Sequence, residues 1–128
     1  MDLNDFKDAC LRTAGDKNTL LIEAYLHGVT EPYKGGSMPS DDILFNWILG
    51  LCGESGELAD AIKKWRFHNH DLDLSNIQKE LGDVMYYWVM LCHYFNLDPN
   101  DILTANVEKL KKRYPDGFSS SNSINRVE

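Results

Sequence analysis

Residues 51–65 read "LCGESGELADAIKKW", and the apolar positions in this run recur at intervals of three and four. That period belongs to a helix with one packed side. Extended back to Asp41 and forward to Phe67, it predicts a long helix with a packing stripe of Leu44, Ile48, Leu51, Leu58, Ile62 and Trp65. Glu54 and Glu57 lie on the shoulder of that stripe beside Gly50 and Ala61. Small neighbours let another chemical group come close, and a carboxylate taken out of water needs a positive partner.

The following pattern, from about Ser75 to Phe95, repeats the arrangement. Ile77, Leu81, Met85, Trp88, Cys92 and Phe95 form its stripe, with Glu80, Asp83 and Tyr87 on one flank. Packed antiparallel across the polar break "HNHDLDLS", the two helices can turn their acidic flanks toward each other. Glu54, Glu57, Glu80 and Asp83 then converge, and anions so close need shared protons or a cation. Oxygen ligands without Cys or His suit a hard ion, magnesium or else manganese. A ferritin-like di-iron site would use Glu-x-x-His pairs, which this chain lacks. The competing reading is that both acidic pairs are solvated helix faces.

The rest of the chain is also helical in pattern, and no stretch alternates in the manner of a strand. A first helix is predicted from Asp2 to Ala14, with Leu3, Phe6, Cys10 and Leu11 on one side. "NTLLIEAYLHG" either continues it or forms a helix ending at Gly28, and "GVTEPYKGGSMPSDD" reads as a loop, with Ser40 as an N-cap at its end. A last helix is expected from Asp101 to Tyr114, closed by Pro115 and Gly117. The expected fold is an all-α bundle of four to five helices: one domain over 1–118, then a polar, disordered tail over 119–128.

With 128 residues, 43% of them hydrophobic, the chain can build one core and would gain more by assembling with copies of itself. A formal net charge of -7 argues against coating a nucleic-acid duplex, so a small-molecule partner is expected. Cys10, Cys52 and Cys92 form no CxxC pair and read as reduced core thiols. "MDLNDFKDAC" is acidic where a secretory signal is basic, and no apolar run approaches the ~18 residues of a membrane span, which predicts a cytoplasmic protein without a membrane partner.

Lys63, Lys64 and Arg66 follow the first acidic pair, and Asn106, Lys109 and Arg113 stack along one side of the last helix. Cations beside carboxylates can meet the oxygens of a metal-chelated polyphosphate. Basic groups in a last turn also answer the helix dipole, and Lys111 and Lys112 read as solvated. His68 and His70, two apart in a turn, are poorly placed to share a metal, and with His27 and His93 they read as surface or core histidines, the tryptophans as core.

Taken together, "GLCGESGELADAIKKW", "KELGDVMYYW" and "NVEKLKKRYPDGF" resemble the MazG-like family of all-alpha nucleoside triphosphate pyrophosphohydrolases. The likeness spans about residues 41–118, "DFKDACLRTA" resembles the family's first helix, and the stretch between Ala14 and Ser40 is outside it. The resemblance implies hydrolysis of a (deoxy)nucleoside triphosphate to the monophosphate and pyrophosphate. It implies magnesium held by Glu54, Glu57, Glu80 and Asp83, with Lys64, Asn106, Lys109 and Arg113 on the phosphate chain and Tyr87 near sugar or base. It also implies a homodimer or homotetramer. Glu54 or Glu57 would be the general base. Phosphoribosyl-ATP pyrophosphatase and dUTPase-like activities share the same metal core, and a non-catalytic helical binding module is the alternative outside the enzymes.

Overall fold

The computed structural model describes residues 1–13 and 41–126, within which the secondary structure is all helical. In chain order the helices are α1 (Leu3–Leu11), α2 (Asp41–Phe67), α3 (Leu74–Tyr94), α4 (Pro99–Arg113) and α5 (Ser120–Ile124). Ser40, "NTLLIEAYLHG" and the Gly/Pro-rich loop, His27 with them, lie outside the described residues.

Short polar side chains set the ends. Asp2 and Asp5 form a reciprocal capping box at the start of α1. The Asp73 carboxylate accepts the Ser75 N–H at 2.9 Å and the Asn76 N–H at 3.2 Å, which starts α3. Asp98 caps α4 through the Asn100 N–H at 2.8 Å, with Pro99 in the first helical turn. That cap moves the start of α4 ahead of the expected Asp101. Asn96, at φ 53°, closes α3: its N–H reaches the His93 carbonyl at 3.0 Å, and Leu97 N–H reaches that of Cys92 at 2.8 Å.

The long α2 and α3 pack together, α1 lies across α3, and α4 packs on α1. Cys10, Ile43, Trp47, Val89, Met90 and Tyr94 form the buried core, flanked by Phe6, Leu44, Tyr86 and Tyr87. The core thus joins the beginning of α2 to the end of α3, in the antiparallel sense expected. Thr13 ties α1 to this end by a 3.1 Å hydrogen bond between its hydroxyl and that of Tyr86.

The expected stripe of α2 is only partly packed. Its Leu44, Leu51 and Leu58 are half-buried, but Ile48 is exposed, Ile62 is 41% exposed and Trp65 46%, and it is Ile43 and Trp47, outside that stripe, that enter the core. For Ile62 and Trp65 the reason is length: 27 residues of helix reach about 40 Å, beyond what the core at its beginning covers. Leu81 on α3 and Phe95 at its C-cap are likewise exposed, while Val89 and Met90 take the core. Cys10 and Cys92 are buried thiols as expected, but Cys52 is exposed. The tail also departs from expectation, because the Ser119 hydroxyl accepts the Asn122 N–H at 3.0 Å and starts α5. Among the described residues no helix is long and apolar enough to cross a membrane.

Candidate metal and nucleotide site

Beyond the core the facing sides of α2 and α3 become polar. Tyr87 marks the border. A Cβ at position 50 would overlap its ring, so glycine there lets the ring lie against the α2 backbone. The ring is held by Trp47 and Tyr86, at centroid distances of 6.2 and 5.1 Å. Burial, then the charge of Glu54, then Tyr86 and Asp83, push the Tyr87 phenol up. The aromatic border and the acids therefore adjoin.

One and two turns further along α2 come Glu54 and Glu57, and across from them Glu80. Each of these three can place a carboxylate oxygen within 4.8 Å of the others. Glu54 is half-buried, and burial followed by the charges of Glu57, Asp83 and Glu80 raises its pKa above the usual carboxylate value. Asp83 is exposed and outside the close grouping of three, yet its charge still reaches Glu54. Glu80 is only 9% exposed, and no ion pair among the described residues reaches it. A buried carboxylate without a positive partner is costly. An all-oxygen donor set under mutual repulsion fits a hard divalent cation.

Past the glutamates a cleft of about 620 Å³ opens between α2, α3 and the turn joining them. Glu57, Asp60 and Lys64 line one wall, and His70, Asn76 and Glu80 the other. The turn is set by Asn69 at φ 58° and by a 3.3 Å hydrogen bond from His70 N–H to the Lys64 carbonyl. Asp60 pairs with both Lys63 and Lys64, the latter at 2.6 Å. Hydrogen bonds from those lysines draw the Asp60 carboxyl down to about 2.

The structure thus brings Glu54, Glu57 and Glu80 together, with Tyr87 and Asp83 adjoining and Lys64 on the cleft wall. Asn106 and Lys109 are exposed on α4, which among the described helices packs chiefly on α1, and Arg113 is half-buried at its end. Sequence spacing placed these three on one side of a helix but carried no information on which neighbour that helix meets. Asp60, His70 and Asn76 were not among the expected site residues. The signal for Asp60 was its position three residues after Glu57; His70, read as a surface or core histidine, joins the site only through the turn.

A model of the MazG nucleotide pyrophosphohydrolase domain matches residues 46–118, which takes in both acidic pairs and α4. The chain belongs to this family. The Gene 37 protein of Mycobacterium phage L5 is 30% identical over 102 residues, covering 76% of this chain and 90% of that protein. No solved structure matches the chain. The family places the acidic grouping in a nucleotide pyrophosphohydrolase framework.

Proposed function

We propose that the chain hydrolyses a (deoxy)nucleoside triphosphate to the monophosphate and pyrophosphate, using magnesium or manganese held by Glu54, Glu57, Glu80 and Asp83. The observation that carries this reading is buried Glu80, without an ion pair among the described residues, facing Glu54 and Glu57 within 4.8 Å. The chemistry supplied by a bound divalent ion is Lewis-acid activation of water and charge compensation on the triphosphate. Water oxygen attacks the alpha phosphorus, the bond from that phosphorus to the alpha-beta bridging oxygen breaks, and pyrophosphate leaves. Glu54 or Glu57 takes the water proton. Lys64 meets phosphate oxygens from the cleft wall, and Tyr87 bounds the sugar or base.

Asn106, Lys109 and Arg113 complete the phosphate contacts in an assembly of two or four copies, where α4 of one protomer can approach the cleft of another. Support for assembly comes from the apolar side chains that α2 leaves in solvent, Phe45 at 59% and Leu49 at 67% exposure among them. The functional domain spans residues 1–118.

The test is a panel of ribo- and deoxyribonucleoside triphosphates with magnesium, read for pyrophosphate against orthophosphate, with the oligomer measured by light scattering. Pyrophosphate release abolished by Glu57→Ala and by Asp83→Asn is expected. No release from any nucleotide, or release indifferent to both substitutions, would refute the proposal.

A further inference from the structure

We propose that Asp60 is a built-in competitor for Lys64: its carboxylate occupies the ammonium that a bound polyphosphate needs, and so sets how tightly the cleft holds substrate and product. The inference rests on the pyrophosphohydrolase reading and deepens it. Glu57, Asp60 and Lys64 are three and then four residues apart, so they stack on one helical face and line the same wall. Lys64 is the one lysine or arginine among the described residues of the cleft lining. Its ammonium is already engaged by Asp60 at 2.6 Å, and Lys63 grips the same carboxylate.

The two side chains remain 48% and 38% exposed, so the pair opens readily. Ion pairs of this exposure add little to helix stability. Their consequence lies in competition instead. A polyphosphate arriving beside Glu57 must take Lys64 from Asp60, and its apparent affinity falls by the fraction of time Lys64 is engaged. The same exchange run backward helps pyrophosphate leave, because Asp60 recovers the ammonium as the product departs. Asp60 touches neither substrate nor the reacting atoms; it acts through Lys64.

The experiment compares wild type, Asp60→Asn, Lys64→Gln and the double variant for KM, kcat and inhibition by pyrophosphate. Asp60→Asn is expected to lower KM and the pyrophosphate inhibition constant about two- to fivefold, with kcat equal or lower. In the Lys64→Gln background the same change is expected to shift neither, and added salt should shrink the wild-type difference. An unchanged or raised KM in Asp60→Asn, or an equal shift without Lys64, overturns the inference. Should wild type hydrolyse no nucleotide, the pyrophosphohydrolase reading fails separately. Calorimetry with inorganic tripolyphosphate and magnesium then reads the competition directly. Binding about two- to fivefold tighter by Asp60→Asn supports it, and equal, weaker or undetectable binding by both proteins overturns it.

Discussion

Replacing Gly50 by alanine tests how the helices are spaced at the border of the site. The added methyl overlaps the Tyr87 ring, and Trp47 and Tyr86 limit the ring's retreat. Overpacking of this kind costs about 2–3 kcal/mol, while alanine returns about 1 kcal/mol of helix propensity. A net loss of about 1–2 kcal/mol follows, which for a chain of this size lowers Tm by roughly 3–10 °C. Thermal and urea unfolding in the presence of a chelator measure it. Gly53→Ala is the control, because a Cβ there meets nothing within 4 Å and should bring the propensity gain alone. Combining Gly50→Ala with Tyr87→Ala should recover part of the loss, a coupling that a double-mutant cycle isolates. A Gly50→Ala protein as stable as wild type, or one with no coupling to position 87, would refute the reasoning.

Glu80→Gln removes a buried charge, so the metal-free protein should be at least as stable as wild type. Magnesium at a hundredfold excess over Kd, worth about 2.7 kcal/mol to the wild type, should then stabilise the variant far less in a thermal shift assay. His93 is half-buried with no hydrogen-bond partner for Nε2 among the described residues, and burial followed by Lys7 pushes its pKa below the usual 6.5, against a smaller opposite effect of Asp8. The unfolded chain therefore binds that proton first, and the contribution of His93 to stability is full above pH 6.5 and lost as pH falls through its folded value. Subtracting the pH-stability curve of His93→Gln should isolate this fall from the opposite slope of Glu54, whose raised pKa makes stability decline as pH rises above 4.5. Among the cysteines, exposed Cys52 should react rapidly with a thiol reagent in the native protein. Cys10 and Cys92, buried and with thiols pushed up by that burial, should react only on unfolding.

The extent of α2 and the approach of Glu54, Glu57 and Glu80, though not the equal inclusion of Asp83, were legible because each depends on spacing within one helix or across one short turn. The acidic shoulder also survived an error in the stripe beside it. Phe45, Ile48 and Leu49 show why that stripe was misjudged: α2 is apolar around much of its beginning, so periodicity alone could not choose the side facing Val89 and Met90. The cleft residues Asp60, His70 and Asn76 are brought together by the reversal at Asn69, a tertiary event without a periodic signature. The same holds for α4, whose composition fits phosphate contact while its placement against α1 depends on partners distant in sequence.

Because, among the described residues, the buried apolar core joins α2 and α3 at one end, their charged ends work like the arms of tweezers. Without a cation the glutamates there repel one another, and the apolar Ile62, Trp65 and Leu81 stay exposed. A divalent cation would be a clasp as well as a reagent, so nucleotide turnover and stiffness of the working end should rise and fall together.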